Sequence, residues 1–173
     1  MLGPGYLSDL GELTLSVLRE RRDEAAQEET DLSYLRRLLH ARIDIVRAEQ
    51  ERRSSGGESS VVERLAAILA DNAIGPATGS GRHQRLEPSR AGEHRRFAEA
   101  LIGDTDLSDV STLSDEKLVN ALNRYADEEV SVSSYRREVQ SVMDTINAEI
   151  ATRYRKGTAS VDDLLDTERG GPE

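Results

Sequence analysis

The sequence contains no cysteine and no tryptophan, a single phenylalanine and only four prolines in 173 residues. Without cysteine there is no disulfide, no thiolate metal site and no thiol nucleophile, and no mark of a secreted protein. Aromatic residues at 3% of the chain leave little to fill a broad core. No apolar run approaches the roughly 20 residues that a membrane-spanning helix needs. The N-terminus lacks a basic segment followed by an apolar one, as a signal peptide would have, so a cytoplasmic protein is expected. What is abundant is charge, 32% of residues with a net charge of −10. That balance argues against direct nucleic-acid binding and suits a basic protein partner. Hydrophobic content of 36% with so much charge fits an all-α fold, a bundle or coiled coil held by a narrow apolar seam.

A five-residue pattern then occurs twice. Glu29, Ser33, Arg36, His40 and Asp44 are followed 100 positions later by Glu129, Ser133, Arg136, Gln140 and Asp144. Spacings of +4, +3, +4 and +4 place each set within about an 80° sector of an α-helix, along roughly 22 Å of its length. The duplication extends beyond this pattern. At the same offset Leu7-Ser8-Asp9 pairs with Leu107-Ser108-Asp109, and Leu13, Leu18, Ala26, Glu28, Arg37, Ala48, Glu49 and Arg53 pair with identical residues. Two copies make an internal pseudo-dimer and not a solenoid, which needs at least three repeats.

The chain reads as one helical domain over residues 1–173. Helix A is expected from about 14 to 53, ended by Ser54-Ser55-Gly56-Gly57, and helix B from about 114 to 155, with Ser114 as N-cap and Gly157 beyond its end. Between them the sequence is irregular, with short helices expected at about 60–72 and 93–102 and a polar tail at 156–173. The basic stretch from Arg82 to Arg96 reads as a solvated connector. One residue before each polar strip runs an apolar one: Leu32, Leu35, Leu39, Ile43 and Val46 in helix A, and Val132, Tyr135, Val139, Met143 and Ile146 in helix B. Spacings of three and four make these coiled-coil seams. Packed seam on seam, the two strips flank the core as one composite surface. An antiparallel pair would relate them by a pseudo-two-fold axis, suited to a symmetric ligand and making a homodimer unnecessary.

The strip chemistry points to guanine. An arginine fork matches the O6/N7 edge, and a carboxylate accepts from N1–H and the exocyclic amine, a combination adenine lacks. Glutamate and aspartate would repel a phosphate, so they fit a base better than a backbone. Two such sets suggest a cyclic dinucleotide. Arg37 and Arg137 are secondary ligand candidates, and Tyr34 is a candidate for stacking on a base. His40 and Asp44 are spaced as an i, i+4 metal pair, but Gln140 breaks the symmetry and no metal is expected. No nucleophile–base pair or glycine-rich phosphate loop supports an enzyme.

On these residues the chain resembles the RsiG family of actinobacterial anti-sigma factors, whose signature is E-x3-S-x2-R-x3-Q-x3-D on each of two helices. Glu129-Ser133-Arg136-Gln140-Asp144 matches at every position; Glu29-Ser33-Arg36-His40-Asp44 departs only at His40. The run Ser33-Tyr34-Leu35-Arg36-Arg37-Leu38-Leu39 adds to the likeness. The resemblance implies an antiparallel two-helix coiled coil that binds cyclic di-GMP as a dimer through the ten strip residues. In that loaded form it would sequester a flagellar-type sigma factor, WhiG in sporulating genera, restraining late sporulation genes. The competing reading is a coiled-coil adaptor that takes no ligand.

Overall fold

In the computed structural model of the protein, residues 5–56, 96, 100 and 107–157 are described. Among them there is no strand. Two long helices dominate, α1 over Leu15–Ser54 and α2 over Asp115–Arg155, the second preceded by a 3-10 helix at Leu107–Thr112. The expected helices at 60–72 and 93–102 and the tail beyond 157 lie outside the described residues, except that Arg96 and Ala100 are helical and exposed.

Both helices begin and end by the same local chemistry. The Thr14 hydroxyl accepts from Val17 N–H at 3.3 Å, and Ser114 does the same for Lys117 at 3.3 Å. Each cap satisfies one backbone donor that the first turn leaves without an intrahelical partner. At the other ends Gly56 and Gly157 take φ of +81° and +68°, the left-handed conformation that stops a helix and that only glycine adopts without cost. Their amides turn back to the carbonyls of Arg53 and Tyr154.

The chain divides into two compact units, one formed by Met1–Glu29 with Arg137–Glu173, the other by Thr30–Arg136. In the first, Arg19 bonds the Tyr154 hydroxyl and Gln140 bonds Glu29, so rising numbers on α1 meet falling numbers on α2. In the second, Arg136 bonds Ser33 and Arg53 bonds Asp115, which is again antiparallel. The family-implied polarity of the two-helix pair therefore holds in both.

Buried positions recur at strict seven-residue intervals. Leu18, Ala25, Leu32, Leu39 and Val46 on α1, and Leu118, Tyr125, Val132, Val139 and Ile146 on α2, are all at most 7% exposed. A strict heptad keeps one stripe of each helix facing its partner through gentle supercoiling. Of the expected seam, Leu35 and Ile43 are buried as well, whereas Tyr135 and Met143 are half-buried.

The duplication is broken on one flank. On α1, Asp31, Tyr34, Leu38, Ala41, Ile45 and Ala48 are buried or half-buried; their counterparts Ser131, Ser134, Glu138, Ser141, Thr145 and Ala148 are all exposed. Ala48 is 5% exposed although the identical residue of the other copy lies open. Apolar residues at 34, 38 and 45 against hydroxyls and an acid at 134, 138 and 145 are the sequence cause. α1 buries two faces and α2 one.

Two reciprocal arginine clamps close the copies on each other. In one unit Arg53 Nε donates to Glu49 at 2.7 Å, while Nη1 reaches Asp115 at 2.5 Å and Nη2 the carbonyls of Val110 and Ser111 at 3.3 and 3.1 Å. In the other unit Arg153 Nε donates to Glu149 at 2.9 Å, and its Nη atoms reach the carbonyls of Leu10 at 2.6 Å, Gly11 at 3.2 Å and Leu13. Each glutamate orients the arginine one turn on, and each arginine holds the lead-in of the other copy. Glu49 is fully buried and also accepts two bonds from Arg52, at 2.7 and 2.8 Å. Those Arg52 bonds, with Arg53 adding to them, overcome the cost of burial and hold the Glu49 carboxyl down at about 2.

Candidate ligand-binding strips

In the unit built from residues 30–136, α1 contributes Ser33, Arg36 and His40, and α2 contributes Glu129, Ser133 and Arg136. The antiparallel register brings these six together. Arg136 Nε donates to Ser33 Oγ at 2.8 Å, and Ser133 Oγ donates to Glu129 Oε1 at 2.6 Å. The same Oε1 lies 3.7 Å from Arg36 Nη1 and 3.2 Å from His40 Nε2. Oε2 takes part in none of these contacts. Arg36 and His40 are 37% and 38% exposed while Glu129 is 18% exposed, so these two side chains stand at the rim and the carboxylate below them. At 3.7 Å and this exposure, the Arg36–Glu129 attraction is worth at most about 1 kcal/mol. Arg36 can exchange this protein partner for a ligand at small cost.

His40 Nε2 also lies 2.7 Å from Arg36 Nη1. A bare ring nitrogen accepts from the guanidinium; a protonated one donates to the carboxylate. It cannot do both.

In the other unit the equivalent pair is Gln140 and Glu29, with Gln140 Nε2 donating to Glu29 Oε1 at 3.2 Å. Position 40 or 140 of one copy thus meets position 129 or 29 of the other at the same distance in both units. Asp44 is half-buried and Asp144 exposed on their helices. Arg37 is half-buried and Arg137 exposed. Tyr34 is half-buried on the flank of α1 whose counterpart on α2 is exposed, and does not share the face of the five strip residues.

Two further features carry no recognisable signature in the sequence. Arg153 and Arg53 showed only as identical neighbours, because most of their contacts on the other copy are to backbone carbonyls. At the start of the chain, the Tyr6 ring lies 5.5 Å from the Arg21 guanidinium, and its hydroxyl reaches the Arg21 carbonyl and the Glu24 carboxylate. Burial, with the Glu24 bond adding to it, pushes the Tyr6 hydroxyl well above its usual range. Among the described residues no group of His, Asp and Glu is arranged to hold a metal ion.

The RsiG-like family model matches over residues 4–69 and 104–168. The chain belongs to the RsiG-like family. Each matched segment contains one strip, and the two begin 100 residues apart, in register with the internal repeat. No curated protein matches the chain. Family membership gives this RsiG-like protein an anti-sigma, regulatory role and makes a sigma factor its class of partner. Among the described residues, no helix is long and apolar enough to cross a membrane.

Proposed function

We propose that this RsiG-like protein binds cyclic di-GMP through its two strips and, when loaded, sequesters a flagellar-type sigma factor. The observation that carries the reading is the Glu–Ser–Arg set present in both copies. Glu129 is held by Ser133 through one oxygen, and an arginine stands at the rim above it. A carboxylate fixed through Oε1 keeps Oε2 for N–H donors such as guanine N1–H and the 2-amino group, while Arg36 and Arg136 supply forks for O6 and N7. Ser33 and Gln140 bond these groups across the helices and so set their aim, and His40 stands between Arg36 and Glu129; Glu29 is the second acid, and Asp44 and Asp144 extend each strip. Nucleotide and sigma factor then stabilise one form of the protein, so each raises the other's affinity by the same factor.

A second reading has an observation of its own. Arg136–Ser33 and Gln140–Glu29 are bonds between α1 and α2, so the strips also serve as cross-helix ties in an adaptor that takes no ligand. Isothermal titration with cyclic di-GMP, with cyclic di-AMP as control and with and without the sigma factor, separates the two. The ligand reading expects selective binding that tightens with sigma factor present and is lost in Arg36→Ala/Arg136→Ala. An adaptor would bind its partner equally well with or without nucleotide, and the double variant would leave that binding intact.

A further inference from the structure

We propose that His40 couples nucleotide binding to a proton, making one half of the duplicated site pH-sensitive while the Gln140 half is not. This inference rests on the cyclic di-GMP reading. Its ground is geometric: His40 Nε2 has Arg36 Nη1 at 2.7 Å and Glu129 Oε1 at 3.2 Å, and its protonation decides which of them it engages. With Nε2 bare, the ring accepts from Arg36 and ties up an N–H of the fork. With Nε2 protonated, that bond is impossible, Arg36 is released, and the ring donates to Glu129. That donation falls on Oε1, the oxygen already held by Ser133, so it steadies the carboxylate and leaves Oε2 to the ligand.

Charge acts in the same direction. The charged groups at the ring nitrogen are Arg36 from α1 and Glu129 from α2; Arg136 stands nearby on Ser33, and Asp44 follows one turn on along α1. Protonation adds one positive charge beside a site meant for a dinucleotide with two phosphodiester anions, which favours binding. Gln140 Nε2 donates to Glu29 at the same 3.2 Å and does so at every pH. The copy with glutamine is therefore the proton-independent version of the same contact. By linkage, a ligand that prefers the imidazolium takes up a proton on binding, and its affinity weakens as pH rises.

The test is titration with cyclic di-GMP at pH 6 and pH 8, in buffers of different ionisation enthalpy, for wild type and His40→Gln. Wild-type affinity should fall about tenfold over this range, with up to one proton taken up on binding at pH 8. His40→Gln should bind with nearly equal affinity at both pH values and more tightly than wild type at pH 8. A merely structural histidine would not give that rescue. Equal pH slopes in the two proteins, or no difference in proton uptake, would overturn the proposal. A readout free of nucleotide is the His40 imidazole titration by NMR in wild type and Glu129→Gln. The midpoint should drop in Glu129→Gln, and an unchanged midpoint refutes the coupling. Absence of binding by both proteins at both pH values, with the NMR shift intact, instead refutes the nucleotide reading and removes the linkage built on it.

Discussion

Replacing Glu49 by glutamine tests how much the clamp in the unit of residues 30–136 contributes to stability. The carboxylate is fully buried and accepts three bonds of 2.7 to 2.8 Å from Arg52 and Arg53, which hold its pKa down from 4.5 to about 2. A depression of that size corresponds to roughly 3 kcal/mol of stability at neutral pH. The arginines are 29% and 24% exposed, and solvent screening on their side brings the expected loss to about 2 kcal/mol. A depressed carboxyl stabilises the fold above its unfolded pKa, and that contribution disappears as pH falls through the folded pKa. The gap between wild type and Glu49→Gln should therefore be full at pH 7, shrink to about half at pH 3, and close below pH 2. The control is Glu149→Gln, where the carboxylate is 28% exposed and its clamp arginine is Arg153 alone, since position 152 is threonine. Its loss should be about 1 kcal/mol. Urea unfolding followed by helical circular dichroism at pH 7 and pH 3 measures both. Equal losses for the two variants, or a Glu49→Gln gap that does not change with pH, would refute the argument.

Thermal and urea unfolding check two more expectations. Leu39→Ala empties a fully buried seam position and should cost about 3 kcal/mol, whereas Val130→Ala, at a site 63% exposed, should stay within about 0.5 kcal/mol of wild type. Gly56→Ala meets no atom within 4 Å, so its expected loss of about 1 kcal/mol comes from the +81° backbone alone, and Gly56→Asn should recover part of it.

The ends of both long helices were legible because their signals are local: a hydroxyl before the first turn and a glycine after the last. The seam was legible because its spacing is that of a helix. Tyr135 is half-buried where leucine at the equivalent position 35 is 1% exposed, a difference that spacing alone does not carry, since Tyr125 on the same helix is fully buried. The strip residues could be named, and their sharing of a helix face followed from spacing. Their partners could not, because which residue of α2 meets His40 depends on polarity and register, and the spacing left both open. The flank asymmetry was present in the sequence as Leu38 and Ile45 against Glu138 and Thr145, yet it acquires meaning only when burial shows Ala48 covered and Ala148 open. The clamps were the least legible feature, since no side-chain pattern marks a backbone carbonyl as a target.

The boundaries of the repeat and of the compact units do not coincide. The copies run along the chain one after the other, but each unit takes part of its residues from each copy. Arg53 closes on the lead-in of the second copy and Arg153 on the lead-in of the first. Neither copy can then complete a unit by itself, and the protein amounts to a dimer of unlike halves tied into one polypeptide. The tie replaces association between molecules by closure within one, at an effective concentration on the order of millimolar. It also frees the halves from having to be identical. A histidine can replace glutamine in one copy, and a flank can be covered in one copy and open in the other, with each change confined to one copy, as it never is in a dimer of identical chains.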